Sequence, residues 1–129
     1  MNFKLTIAAL IALGSLSGAA MAQDAGDAAN GEKVYKKCKA CHVADEEKNK
    51  VGPHLVGIVG RKAASVEGYK YGEGIVAAAE TIGEWDEAKL ADYLADPKAY
   101  VNGKSKMAFK LAKEQDRKDV AAYLASMKK

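Results

Sequence analysis

The stretch "YKKCKACHVAD", residues 35–45, contains both cysteines of the chain, Cys38 and Cys41, and one of its two histidines, His42. A disulfide between two cysteines three positions apart would close almost no loop and add little chain-entropy stabilisation. A thioredoxin-like redox pair needs a βαβ setting around CxxC, and no such alternation surrounds this one. Zinc could formally recruit Cys38, Cys41, His42 and His54. Cys41 and His42 are adjacent, however, and the histidines stand twelve apart, not at the usual spacing of three to five intervening residues.

C-x-x-C-H is also the attachment signal for c-type haem, in which both thiols add to porphyrin vinyl groups and the histidine becomes an axial iron ligand. Cys38 and Cys41, one helical turn apart, can reach neighbouring vinyls while His42 stands under the iron. One ring nitrogen of His42 then serves as the fifth ligand, and the other can donate to a backbone carbonyl. The implied cofactor is a single, covalently bound haem c.

Outward from the motif, the chain is short of core. Asp27 is a reasonable N-cap for a first helix running to about Cys41, with Gly31, Val34, Tyr35 and Cys38 on one face. From Ala44 to Gly74 the sequence reads as loop, punctuated by glycines and Pro53. A short helix over Gly74–Ala79 follows, then one capped by Asp86 that carries Leu90, Tyr93 and Leu94 on one face and ends at Pro97. Residues 97–110 read as a second loop, and the last helix spans about Lys113 to Met127. The chain has two Phe, one Trp and six Tyr, too few large side chains for such loops to pack on unaided. The expected fold is all-α: three to four helices and long loops wrapped around one covalently attached haem.

Residues 1–22 pair Lys4 and an apolar run from Leu5 to Leu13 with a small-residue end, Ala20-Met21-Ala22, the pattern of a cleaved secretory signal peptide. Gly14, Ser15, Ser17 and Gly18 break the run short of the ~20 residues a membrane span needs. The expectation is an exported, periplasmic single domain over residues 23–129, starting at Gln23. Its side chains carry 19 basic against 17 acidic groups, because only Lys4 leaves with the signal.

For the sixth iron position, His54 sits in a Gly-Pro turn only twelve residues after His42, where reaching the opposite face of the ring is awkward, and a surface or loop-packing role suits it better. Met127 continues the apolar stripe of the last helix. Met107, in the loop "NGKSKMAFKL", lies far enough along the chain to approach from the other face and is the favoured ligand.

The ordered segments GDAANGEKVYKKCKACH (26–42), VGPHLVGIVGR (51–61), YKYGEGI (69–75), EW (84–85), LADYLADPKAYV (90–101), KMAFKL (106–111) and DVAAYL (119–124) resemble the class I cytochromes c, particularly the bacterial cytochrome c2 group. The resemblance covers essentially the whole chain after residue 22. It implies that Cys38 and Cys41 hold the haem and that His42 and Met107 ligate the iron. It also implies that the Pro53 carbonyl receives the His42 ring proton, that Tyr71, Trp85 and Arg61 lie near the propionates, and that Tyr93 contacts the Met107 side of the ring. Gly31 and Tyr35 should meet Tyr123 and Leu124 where the first and last helices cross. Two departures stand out: the loop YVNGKSKM lacks a proline before its glycine and is one residue longer, and His54 replaces a neutral residue.

His/Met ligation raises the haem potential and leaves no open iron site, so the expected activity is one-electron transfer and not catalysis. Lys33, Lys36, Lys37, Lys39, Lys104, Lys106 and Lys110 flank the two ligands in sequence and suit transient docking to acidic partners. Asp45-Glu46-Glu47 reads as a solvated face. By the resemblance, the donor is a membrane quinol-oxidising cytochrome complex and the acceptor a photosynthetic reaction centre or terminal oxidase.

Overall fold

Asp27 begins the first helix: its carboxylate accepts from the Ala29 and Asn30 backbone N–H groups at 2.9 and 3.4 Å. A computed structural model describes residues 26–127; the signal peptide read at residues 1–22 and the start at Gln23 lie outside them. Among the described residues there are five helices: α1 (Ala28–Tyr35), α2 (Glu73–Ile82), α3 (Glu87–Ala95), α4 (Pro97–Val101) and α5 (Glu114–Ser126). No strand accompanies them beyond one isolated bridge, Lys62 with Glu84.

Three expectations about the helices change. α1 ends at Tyr35 and not near Cys41, because the bonding tightens to i→i−3: Lys37 N–H donates to Val34 and Cys38 N–H to Tyr35, at 3.0 and 2.8 Å. Turns then carry both cysteines. α2 runs on to Ile82, where Gly83 ends it at a φ of +67°, a conformation glycine adopts without strain. Pro97, read as a stop, is instead the first residue of α4. Asp96 caps that helix through the Ala99 N–H at 3.2 Å, and the fixed φ of proline suits the opening turn. Among the described residues the helix count is therefore five and not three or four, with α4 little more than one turn.

The frame is the crossing of α1 on α5, the most extensive helix contact of the domain. It closes at Gly31, where an added Cβ would strike the Asp119 carbonyl and lie 2.8 Å from Tyr123 Cβ. Beside it the rings of Tyr35 and Tyr123 stand 5.5 Å apart, as the resemblance implied. Beneath, Val120 and Ala121 are sealed from solvent.

The crossing also encloses a carboxylate. Asp119, only 2% exposed, accepts from the Asp27 N–H at 2.7 Å, Asn30 Nδ2 at 2.6 Å and Gln115 Nε2 at 2.8 Å. Its negative charge lies at the N-terminal end of α1, where the helix dipole favours it. Burial raises the carboxyl pKa, but the three hydrogen bonds outweigh burial and hold it below the ordinary 3.8.

Replacing Asp119 by Ala strands three donors around the site and should cost about 3 kcal/mol, measured by guanidinium unfolding of the holoprotein. A carboxylate whose folded pKa is depressed stabilises above its unfolded value and loses that contribution as pH falls through the folded one. The gap between wild type and Asp119→Ala should thus hold steady from pH 7 to 5 and narrow below about pH 4. A gap independent of pH would remove the charge from this account.

Candidate functional site

The helices do not fill the centre of the molecule. They leave a cavity of about 380 Å³ whose wall includes Cys38, Cys41 and His42 together with Met107, sixty-five residues further along than His42. A space of this size is in the range of small-molecule and cofactor sites. Arg61, Tyr71, Trp85 and Tyr93, each named from the resemblance, also line it, among apolar neighbours such as Leu55, Ile58 and Ile75.

Local structure orients His42. Its backbone N–H closes an i→i−4 turn onto the Cys38 carbonyl at 2.9 Å, and its own carbonyl accepts from the Tyr35 hydroxyl at 3.2 Å. The Nδ1–H donates to the Pro53 carbonyl at 2.7 Å, leaving the Nε2 lone pair for a metal. Gly52 permits the arrangement, since a Cβ there would collide with the imidazole and lie 2.7 Å from its Nδ1. Burial pulls the His42 pKa down, against the Pro53 bond and with help from Arg61, so the ring is neutral, as a ligand must be.

The two cysteines are not joined to each other. Burial, reinforced by Cys41, raises the Cys38 pKa, which keeps that sulfur a thiol. Among the described residues no group of three or more His, Cys, Asp or Glu side chains comes together as a metal site, which removes the zinc alternative. His54 turns instead toward Arg61 and Val56.

Met107 is held by its loop. Ser105 Oγ accepts from the Met107 N–H and donates to the Met107 carbonyl, both at 3.2 Å. The Tyr93 hydroxyl donates to Met107 Sδ at 3.6 Å. Burial, then the nearby Tyr69, pushes the Tyr93 phenol up to about 12 against a counteracting Ser105 hydrogen bond, so this donor keeps its proton throughout the neutral range. The loop is anchored at each end by a backbone bond of 2.9 Å: the Lys104 carbonyl accepts from Gly74 N–H, and Leu111 N–H donates to the Leu94 carbonyl. The resemblance did not bring out Ser105, although a serine two residues before a loop methionine is a recognisable turn former.

The polar edge of the cavity suits an anion. Arg61 Nη1 donates to the carbonyls of His54 and Val56 at 3.0 and 3.1 Å, yet Arg61 Nε is buried without a partner. Such an orphaned donor calls for an acceptor the chain does not provide, and a haem carboxylate is one. The Tyr71 hydroxyl accepts from Val66 N–H at 3.0 Å and keeps its own proton to donate. An apolar space, a metal-ready imidazole, two thiols, a thioether and an unsatisfied guanidinium together fit a covalently held haem.

A family model described as Cytochrome c matches residues 28–128. The chain is 46% identical to cytochrome c-550 of Paracoccus versutus, an alignment covering 95% of this chain and 88% of that one. It is 47% identical to a cytochrome c2 of Rhodopseudomonas palustris, covering 79% of this chain and 99% of the relative. In structure it is similar to cytochrome c2 from Rhodospirillum centenum, with a TM-score of 0.76 at 40% identity over 81% of this chain and all of that one.

Gly52→Ala forces a methyl group against the His42 ring and should destabilise the holoprotein by about 1–3 kcal/mol, the usual range for overpacking. Thermal melting followed at the haem absorption band checks this. An unchanged melting temperature would mean that the ring does not depend on close contact with the backbone.

Proposed function

This chain belongs to the cytochrome c family, electron-transfer proteins, not enzymes, that carry one covalently attached haem c, and from that premise we propose a periplasmic shuttle whose iron is held by His42 and Met107. When bound, the haem takes up and releases one electron without a bond being made or broken in the polypeptide. Cys38 and Cys41 tether it. The Pro53 carbonyl fixes the His42 ring, while Arg61, Tyr71 and Trp85, which line the cavity, would lie near the propionates of the bound haem.

One observation carries the ligand assignment: Met107 and His42 line the same cavity, and the Tyr93 hydroxyl lies against the Met107 sulfur. A hydroxyl donating to the thioether fixes its orientation. The soft sulfur favours ferrous iron, and the dry wall around it raises the potential further. Trp85, 4% exposed and 5.2 Å from Tyr93 between ring centroids, helps to exclude water.

The docking reading rests on charge. Lys33, Lys36, Lys37, Lys39, Lys104, Lys106 and Lys110 are all exposed. Lys104 and Lys110 rest on Glu73 and Asp96 at 3.6 and 3.1 Å, surface pairs weak enough to exchange for the carboxylates of a partner. Lys106 Nζ donates to the Lys70 carbonyl at 2.6 Å and lies 5.9 Å from the centre of the Tyr69 ring. Val51, which lines the cavity and is 76% exposed, offers an apolar contact beside these charges. This composition suits a brief encounter with an acidic membrane complex: a quinol-oxidising cytochrome complex as donor, and a photosynthetic reaction centre or terminal oxidase as acceptor.

Met107→Ala should keep the covalent haem, bind carbon monoxide readily and lose more than about 100 mV of potential, within the ~0.8 V that axial ligands span. An unchanged potential would refute the ligand assignment. Reduction by the quinol-oxidising complex should slow about tenfold between low and physiological salt, as steered encounters do. A rate insensitive to ionic strength would eliminate the lysine surface.

A further inference from the structure

His54 is the remaining histidine, with no part in haem attachment or iron ligation. Its backbone N–H donates to Asn49 Oδ1 at 3.0 Å, and its Nδ1 accepts from the Val56 N–H at 3.2 Å. Against this turn lies Arg61, whose Nη1 bonds both the His54 and Val56 carbonyls and stands 3.4 Å from His54 Nδ1. The turn around His54 therefore fixes one arm of a guanidinium whose Nε is the unpaired buried donor of the cavity wall.

We propose that His54 is a positioning residue for Arg61, and that a proton bound by its imidazole strengthens the hold of the haem on its electron. The proposal rests on the reading of Arg61 as a neighbour of the haem carboxylates.

With Nδ1 accepting from Val56, the neutral ring carries its hydrogen on Nε2. A second proton, taken from solvent onto Nδ1, replaces that acceptor with a donor facing the Val56 N–H and the guanidinium. It loosens the grip on Nη1 and adds a positive charge beside the cavity wall. The charged groups facing His54 are Arg61, which opposes protonation, and Glu47, which favours it; Tyr71 lies beside Arg61. Burial first and Arg61 second outweigh Glu47 and keep the imidazole below the ordinary 6.5, so the proton binds on acidification from neutral pH. Ferrous haem carries one positive charge fewer than ferric, so the ferrous protein binds this proton more tightly. By reciprocity, the protonated protein binds the electron more tightly. The electron comes from the redox donor and the proton from water; no covalent bond of the chain changes.

The test is the midpoint potential of the holoprotein between pH 8 and pH 5, for wild type, His54→Asn and Arg61→Gln. Asparagine can accept from the N–H two residues on, so His54→Asn preserves the turn and removes the titration. Wild type should be level near pH 8 and rise on acidification by an amount set by an about threefold difference in proton affinity between the two redox states. At 59 mV per tenfold for one electron, that is about 28 mV. His54→Asn should match wild type at pH 8 and stay level below it. A level wild-type curve, or a rise of equal size in His54→Asn, overturns the proposal. NMR titration should give His54 a higher pKa in the ferrous protein than in the ferric, and equal values overturn it as well. If Arg61→Gln leaves the pH 8 potential unmoved, the haem-neighbour reading of Arg61 fails and the proposal falls with it. If Arg61→Gln shifts that potential while His54→Asn keeps the wild-type slope, only the role of His54 is lost.

Discussion

The cavity wall is predominantly apolar, and apolar surface in a protein interior is held together by close contact with other atoms. The loops between Ala44 and Gly72 contain no helix of their own and have little but that wall to pack against. Their backbone is fastened to the rest of the chain at five places: Gly52 N–H donates to the Cys41 carbonyl, Leu55 N–H to Val43, Gly60 N–H to Trp85, Ala63 N–H to Gly83, and Trp85 N–H to Arg61. These bonds seat Trp85 beneath the loop and set Arg61 at the rim. A covalently tethered haem gives the wall a partner, so cofactor and polypeptide complete one core between them.

Around that space the side chains divide into two kinds of support. On the histidine side the support is steric and backbone-based: the Pro53 carbonyl, the bare Cα of Gly52 and the tight turns that follow α1. On the methionine side it is a set of small polar contacts, with Ser105 bracketing the Met107 peptide and Tyr93 reaching the sulfur. The first kind fixes a ring rigidly. The second holds a flexible side chain by its neighbours, which suits methionine, whose three rotatable bonds would otherwise leave its sulfur free to wander.

Much of this was legible in the residues. CKACH needs only local spacing to be recognised, and Met107 stood out because no helical stripe could claim it. Trp85, Tyr93 and Tyr71 came from the ordered resemblance, and all three line the cavity. α4 was hidden because Pro97 carries two meanings, stopping a helix from within or opening one at its first turn, and only the side chain of Asp96 decides between them. The end of α1 was hidden for a related reason: hydrogen-bonded turns follow Tyr35 directly, and no glycine or proline stands between Lys36 and His42 to mark the stop. Asp119 gave no signal, since an acid among other polar residues near the start of a helix looks solvated until its three donors converge. Arg61 and His54 were visible singly, but their contact depends on the path of the loop between them.

The seam between α1 and α5 joins residues about ninety positions apart, since Asp27 and Asn30 both bond Asp119. Closing a loop of that length costs about 4 kcal/mol of chain entropy before any contact offsets it. A growing or threading chain therefore cannot close the domain until α5 is present. Until then Gly31 has nothing to pack against, and Cys38 and Cys41 belong to an open chain and not a folded one. The topology therefore makes α5 the element that completes the domain, although the residues of the haem-attachment motif lie more than seventy positions before it.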